Sequence, residues 1–146
     1  MEPNQVMDIV DVLLDETKVA VMATTDPEGC PCVRWMTPAI IKDRPGTIFA
    51  LTSSGWDKVC DIRNHPTVEW MFQNRGLTKV VNIRGKINVL DNPQIKNEVM
   101  EKVGKWLTSF WTLDMDPDNV VVLETVIEQA EVLVPATAHK TQVKFQ

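Results

Sequence analysis

No stretch of this chain approaches the ~20 consecutive apolar residues of a membrane-spanning helix, and no basic region precedes an apolar run at Met1-Glu2-Pro3-Asn4. The first absence argues against a helical membrane span, and the second predicts no secretory signal. Cysteine is scarce: Cys30, Cys32 and Cys60 form an odd set without framework spacing, which argues against a disulfide scaffold. Cys30 and Cys32 flank Pro31 at the start of an expected strand, so both point to one face if the strand has begun there. Reduced packing cysteines are the plain reading and a redox or metal role the sharper one. Nothing in the sequence places a cation beside them to lower a thiol pKa. The two histidines, His65 and His139, lie far apart, and no metal-ligand spacing is present. A basic excess is also missing, since the net charge is −5, and with it the global footprint of a nucleic-acid binder. Repeats, low-complexity tracts and linkers are absent. These absences leave one domain over residues 1–146, in a reducing cytoplasm, with neither membrane nor nucleic acid as partner.

What is present is an ordinary globular balance, 44% hydrophobic and 24% charged, long enough for one sizeable core. Residues 4–16 carry Val6, Ile9, Val10, Leu13 and Leu14 at helical spacing and predict an amphipathic helix. Residues 18–25 read as a strand, Asp26-Pro27-Glu28-Gly29 as a turn, and residues 31–42 as a second strand whose pairing bends or ends at Pro38. After the turn at Asp43-Arg44-Pro45-Gly46 comes a strand over 47–51. A short helix over 56–64 stops before Pro66. Residues 68–72 form the next strand and carry Trp70, a core residue or a pocket wall. Residues 79–90 give the clearest β signal, with Val81, Ile83, Ile87 and Val89 on one parity and Asn82, Arg84, Lys86 and Asn88 on the other. Gly85 falls on the apolar parity, where it permits a bend or a close backbone approach. Asn92-Pro93 caps and starts a helix whose stripe is Ile95, Val99, Val103, Trp106 and Leu107. Residues 113–119 form an acidic loop, and 120–134 a last β stretch broken near Glu128 and Gln129. Residues 135–146 show no clear period and receive no assignment.

Turn-length connections exclude a doubly wound parallel sheet, because parallel strands need long crossovers. A closed or nearly closed antiparallel barrel with peripheral helices is the economical solution. The stretch over 51–59 is the candidate ligand element. Hydroxyl residues and a glycine, Thr52 to Gly55, join the strand to the short helix, and Lys58 sits in that helix's first turn. A lysine there opposes the helix dipole: it is either an ordinary surface lysine near a cap, or the partner of a bound phosphate that would turn the mismatch into attraction. Arg34 lies amid Val33, Trp35 and Met36. It either snorkels, meets a carboxylate, or offers its planar fork to a ligand phosphate.

Five pieces, in this order and spacing, carry a family resemblance. They are residues 19–25 ahead of Asp-Pro-Glu-Gly, Pro31-Cys-Val-Arg-Trp-Met, Phe49-Ala-Leu-Thr-Ser-Ser, the run Lys58-Val-Cys-Asp-Ile-Arg-Asn-His-Pro66, and Val81-Asn-Ile-Arg-Gly-Lys-Ile. The chain resembles the FMN-binding split-barrel proteins related to pyridoxamine 5′-phosphate oxidase, in particular the general-stress-protein branch. The resemblance implies a mainly β fold, an antiparallel split barrel of six to seven strands with Greek-key connections. It also implies a homodimer with FMN at two subunit-interface sites. Arg34 and Lys58 would meet the phosphate, Thr52 would lie at the flavin, and the strand holding Trp35 and Met36 would run along the ring. Leu51 and Ser53 complete the expected cofactor-binding set. Five tryptophans and seven methionines are available for a dimer interface.

Three departures separate the chain from the oxidase. Trp56-Asp57 stands where a serine-arginine pair often precedes the phosphate lysine, Val80 replaces a glutamine, and the oxidase's C-terminal substrate segment has no counterpart in residues 125–146. Pyridoxamine phosphate oxidation is therefore not the expected activity. An FMN-dependent oxidoreductase of unknown substrate is, with no residue named as catalytic. A non-catalytic flavin carrier or electron-transfer module, or a split barrel holding deazaflavin or haem, are the alternatives.

Overall fold

The computed structural model describes residues 1–53, 62–110 and 117–145, with the side chains of 108–110 and 117 excepted. The chain begins with α1 (Pro3–Thr17), started by Pro3 and by the Glu2 backbone N–H donating to Gln5 Oε1 at 2.7 Å. It ends at Lys18, whose φ of 64° is a left-handed cap bonded back to the Leu14 carbonyl. That cap delays the first strand, so β1 spans Ala20–Thr25 and begins two residues later than the strand expected from residue 18.

β2 (Pro31–Met36) returns antiparallel across a turn in which Gly29 has φ 85°. Within that turn Asp26 Oδ1 accepts from the Glu28 and Cys30 amides at 3.0 and 2.8 Å. The strand stops ahead of Pro38, as a residue lacking a ladder donor requires, and only Ala39 resumes pairing. β3 (Thr47–Ser53), β4 (Thr67–Gln73) and β5 (Val80–Leu90) follow, then α2 (Pro93–Phe110) and one turn of 3-10 helix at Pro117–Asn119. Asn92 caps α2, its Oδ1 accepting from the Gln94 and Ile95 amides at 3.0 and 3.2 Å. β6 (Val120–Val134) and β7 (His139–Lys144) complete the chain. Residues 62–64 are helical; the rest of the helix expected over 56–64, and most of the acidic loop over 113–119, lie outside the described residues.

The strand order is β2-β1-β4-β5-β6-β3, with β7 beside β6, and every pairing is antiparallel. β6 pairs β5 along nearly its whole length. Its opposite edge serves two partners, β3 against residues 120–126 and β7 against 129–134. The Ala39–Phe49 bridge then joins the segment after β2 to β3 and closes the circle. Among the described residues the seam shows two backbone bonds, Ala39 N–H to the Phe49 carbonyl at 2.7 Å and the reciprocal bond at 3.0 Å. The architecture is a split antiparallel barrel with peripheral helices.

Register explains the two cores. Along β5 the apolar parity faces inward, while β6 changes parity where Arg84 opposes Gln129 and Gly85 opposes Ile127, leaving Glu128 as a bulge. A Cβ on Gly85 would fall 2.3 Å from the Val126 carbonyl oxygen, so the bulge requires glycine there. Inside the barrel Met22, Ile48, Ala50, Trp70, Phe72, Ile83, Leu123 and Val132 pack with Val6, Val10, Leu13 and Leu14 of α1. Trp70 is 1% exposed, and its Nε1 donates to the buried Thr125 hydroxyl at 3.0 Å. The second core lies outside, where Ile95, Val99, Val103 and Leu107 of α2 cover Phe49, Leu51, Val120 and Val122. β3 is thus buried on both faces.

The tail left unassigned from sequence contains β7. Thr141, Val143 and Phe145 share one parity; Val143 is buried and Phe145 packs against the barrel core. Three alternating positions are too few to announce a strand without its partner, β6. Among the described residues no helix is long and apolar enough to cross a membrane.

Candidate functional site

The β1–β2 hairpin sorts the expected site residues by parity. Cys32, Arg34 and Met36 face the side that becomes the barrel interior, while Val33 and Trp35 face out. Met36 is buried in the barrel core. Trp35 remains 52% exposed and Val33 71%, so neither is covered among the described residues. Around them on the outer face stand Val21, opposite Trp35 and also opposite Met71, and Ala23, opposite Val33. The result is an apolar stripe across β2, β1 and β4 that faces away from the core.

Arg34 meets a hydroxyl rather than the carboxylate its sequence context allowed. Its Nη2 donates to Thr24 Oγ1 at 2.6 Å. Thr24 is 2% exposed and sits diagonally across the hairpin, since Met22 opposes Arg34 and Thr24 opposes Cys32. The bond uses one of the five N–H groups of a guanidinium, and the side chain is half-buried. Sequence reasoning missed Thr24. The signal was the hairpin register, which follows from the turn at 26–29 once its length is fixed.

β3 carries the next group. Thr52 and Ser53 were expected in the junction after the strand, but both belong to it, opposite Val121 and Val120 of β6. A β-branched residue facing a paired neighbour extends the ladder readily. Leu51 turns its side chain into the outer core beneath α2, and what it offers a ligand is backbone. Thr52 has the opposite parity and is 1% exposed. Its Oγ1 is the one buried side-chain polar atom without a hydrogen-bond partner among the described residues. An orphan of this kind costs about 1–3 kcal/mol and marks a place where a partner belongs. Ser53 is half-buried at the end of the strand. Lys58, with Trp56, Asp57 and Cys60, lies outside the described residues.

Two concavities lie elsewhere. A cavity of about 440 Å³ on the outer face of β4 to β7 is lined by Glu69, Asn82, Arg84, Gln129, Glu131 and Lys144 among others. Two of its charges are matched to each other, Arg84 donating twice to Glu69 Oε1 at 3.0 and 2.8 Å. A cleft of about 100 Å³ lies between α1, residues 37–40 and α2. There Lys102 Nζ donates to the Ile40 carbonyl at 2.6 Å, and Lys18 Nζ stands 5.1 Å from the Trp106 ring centroid. Neither concavity is lined by an expected cofactor residue. Among the described residues no three His, Cys, Asp or Glu side chains gather as a metal site would need.

The residues that fit an anionic aromatic cofactor are therefore Arg34, steadied by Thr24, and Thr52, with an unspent hydroxyl. No curated protein sequence matches the chain. Among solved structures, a protein related to general stress protein 26 from Clostridium acetobutylicum superposes with a TM-score of 0.75 at 12% identity, covering 99% of this chain and 97% of that one. An FAD-binding protein from Mesorhizobium loti gives 0.69 at 19% identity, over 86% and 91% of the two chains. A haem-binding protein from Mycobacterium smegmatis gives 0.72 at 12% identity, over 92% of this chain and 56% of that one. Likeness at these identities shows a shared fold and leaves the ligand open. The sequence itself matches the family model described as pyridoxamine 5′-phosphate oxidase over residues 7–134. With the split barrel in place and nearly the whole chain matched, the chain belongs to the pyridoxamine 5′-phosphate oxidase family.

Proposed function

We propose that this chain is an FMN-binding flavoprotein that acts as a homodimeric oxidoreductase on a small-molecule redox substrate. The observation that carries the reading is the orphaned Thr52 hydroxyl at the end of β3, on the element that leads toward Lys58. Arg34 supports it with a guanidinium oriented by Thr24. Arg34 and Lys58 would hold the phosphate, the former through its planar fork and the latter as a point charge. Thr52 would give its hydroxyl to the flavin, while the backbone of β2 and β3 at Trp35, Met36, Leu51 and Ser53 would frame the ring. When bound, FMN supplies the redox chemistry, and the protein binds, orients and tunes it.

The apolar stripe of Val33, Trp35, Val21 and Met71 supports the homodimer. Uncovered aromatic and aliphatic side chains on one sheet face favour association over exposure. The free thiols of Cys30 and Cys32 fit a reducing cytoplasm.

The fold also holds haem in a neighbour, which is the competing reading. An absorbance spectrum of the purified protein, with mass analysis of the chromophore released by heat and FMN titration of stripped protein, separates the two. Uptake of one FMN per chain is expected. A haem spectrum, or no FMN uptake at micromolar concentration, overturns the proposal.

A further inference from the structure

The hairpin that presents Arg34 also presents two thiols. Cys30 is exposed, Cys32 is half-buried, and both are free. The ladder reaches Cys30 although β2 is counted from Pro31: the Asp26 amide donates to the Cys30 carbonyl at 2.8 Å, and the Cys30 amide donates to Asp26 Oδ1 at 2.8 Å. Cys30 and Cys32 therefore share a strand face, with Pro31 between them. The Cys32 thiol leans back toward its neighbour, its Sγ 4.0 Å from the Cys30 carbonyl oxygen.

Distance decides which chemistry such a pair can perform. Residues two apart in a strand stand about 6.6–6.8 Å apart. A disulfide needs its Cβ atoms about 3.5–4.5 Å apart, so oxidation would require the strand to bend. Pro31, with its fixed φ, and the two Asp26 bonds oppose that bend. A cation bound linearly between two sulfurs asks for less. With metal–sulfur bonds of about 2.3 Å the sulfurs need approach only to roughly 4.6 Å, within reach of two side chains leaning together. Thiolates select soft ions such as Cu(I), whereas zinc takes four ligands. Among the described residues no third Cys, His, Asp or Glu joins these two in a metal-binding group.

We propose that Cys30 and Cys32 form a two-sulfur clasp for a soft monovalent cation of the Cu(I) class. Binding exchanges two thiol protons for one cation: Cu⁺ and two R–SH give [Cu(SR)₂]⁻ and two H⁺ released to solvent. The complex carries one negative charge. Arg34, on the same strand face, has its guanidinium tied to Thr24, the residue opposite Cys32, so a fixed positive charge stands beside the clasp.

The test is an anaerobic Cu(I) titration of the full chain against a chromophoric Cu(I) chelator. It compares wild type with Cys30→Ser, Cys32→Ser and Cys60→Ser, with circular dichroism to confirm that each variant is folded. Loss of an outer partner of a metal ligand already costs about 10–100-fold, so loss of either sulfur should cost at least about a hundredfold. Wild type and Cys60→Ser should each retain one Cu(I) per chain, and Zn(II) should bind no better to wild type than to Cys30→Ser. Wild-type affinity in either Cys30→Ser or Cys32→Ser overturns the proposal. So does loss of binding in Cys60→Ser, or no Cu(I) held by wild type against the chelator.

Discussion

Arg34 and Thr24 face each other diagonally across the first hairpin, Nη2 to Oγ1 at 2.6 Å, with the threonine almost wholly buried. A long, mobile cation is fixed by a short, immobile hydroxyl. Thr24→Val keeps the shape and removes the acceptor. Because hydrogen bonds to charged groups are worth about 1.5–3 kcal/mol, and only the steadying of the guanidinium is lost, FMN affinity should fall about tenfold. Riboflavin has no phosphate and should bind the variant as it binds wild type, and Thr24→Ser should restore FMN affinity. Fluorescence titration with both flavins checks this; equal losses for the two would assign Thr24 to the fold instead.

Lys58→Ala should weaken FMN binding by about ten- to a hundredfold, the worth of one charge-assisted bond. Riboflavin affinity should barely move. If neither ligand responds, Lys58 is a surface lysine, and the adjacent Asp57 has kept the phosphate away.

Trp35→Asp should abolish self-association. Trp35 and Val33 lie outward from the barrel and contribute nothing to either core, so folding should survive the change. Light scattering should report two chain masses for wild type and one for the variant. One chain mass for wild type would sink the dimer.

Gly85→Ala should destabilise the protein without touching the candidate cofactor site. The new Cβ would press on the backbone at Val126, which belongs to the bulged strand and has little room to yield. Overpacking of this kind costs about 1–3 kcal/mol. Urea unfolding should show the lower midpoint; an unchanged midpoint would mean that the bulge relaxes.

Much of this fold is written in local patterns. The alternation over β5, the broken pattern at Glu128 and Gln129, the close approach at Gly85 and the stop ahead of Pro38 each have a short-range physical cause, and each appears where the residues place it. What escaped depended on partners distant in sequence. β7 exists because the far half of β6 has an open edge, and Leu51 faces α2 because β3 is sandwiched between two cores. Parity alone cannot tell a strand buried on one face from one buried on both. The residues expected at the candidate site divide along the same line. Arg34 and Thr52 emerge with hydrogen-bonding capacity to spare, Trp35 parts from Arg34 to the opposite face, and Thr24 needed the register to be seen.

The two-bond stitch between Ala39 and Phe49 has a dynamic consequence. Each such bond contributes about 0.5–1.5 kcal/mol net, against the long continuous ladder that binds β5 to β6. Local opening should therefore start at this stitch, and the amide hydrogens of Ala39 and Phe49 should exchange with deuterium before those of Ile83 and Leu123. The strands on its two sides are β2, which carries Arg34 and Met36, and β3, which carries Thr52 and Ser53. Under the proposed function, a ring-shaped guest could then enter between β2 and β3 by opening this stitch, leaving the rest of the barrel folded around it.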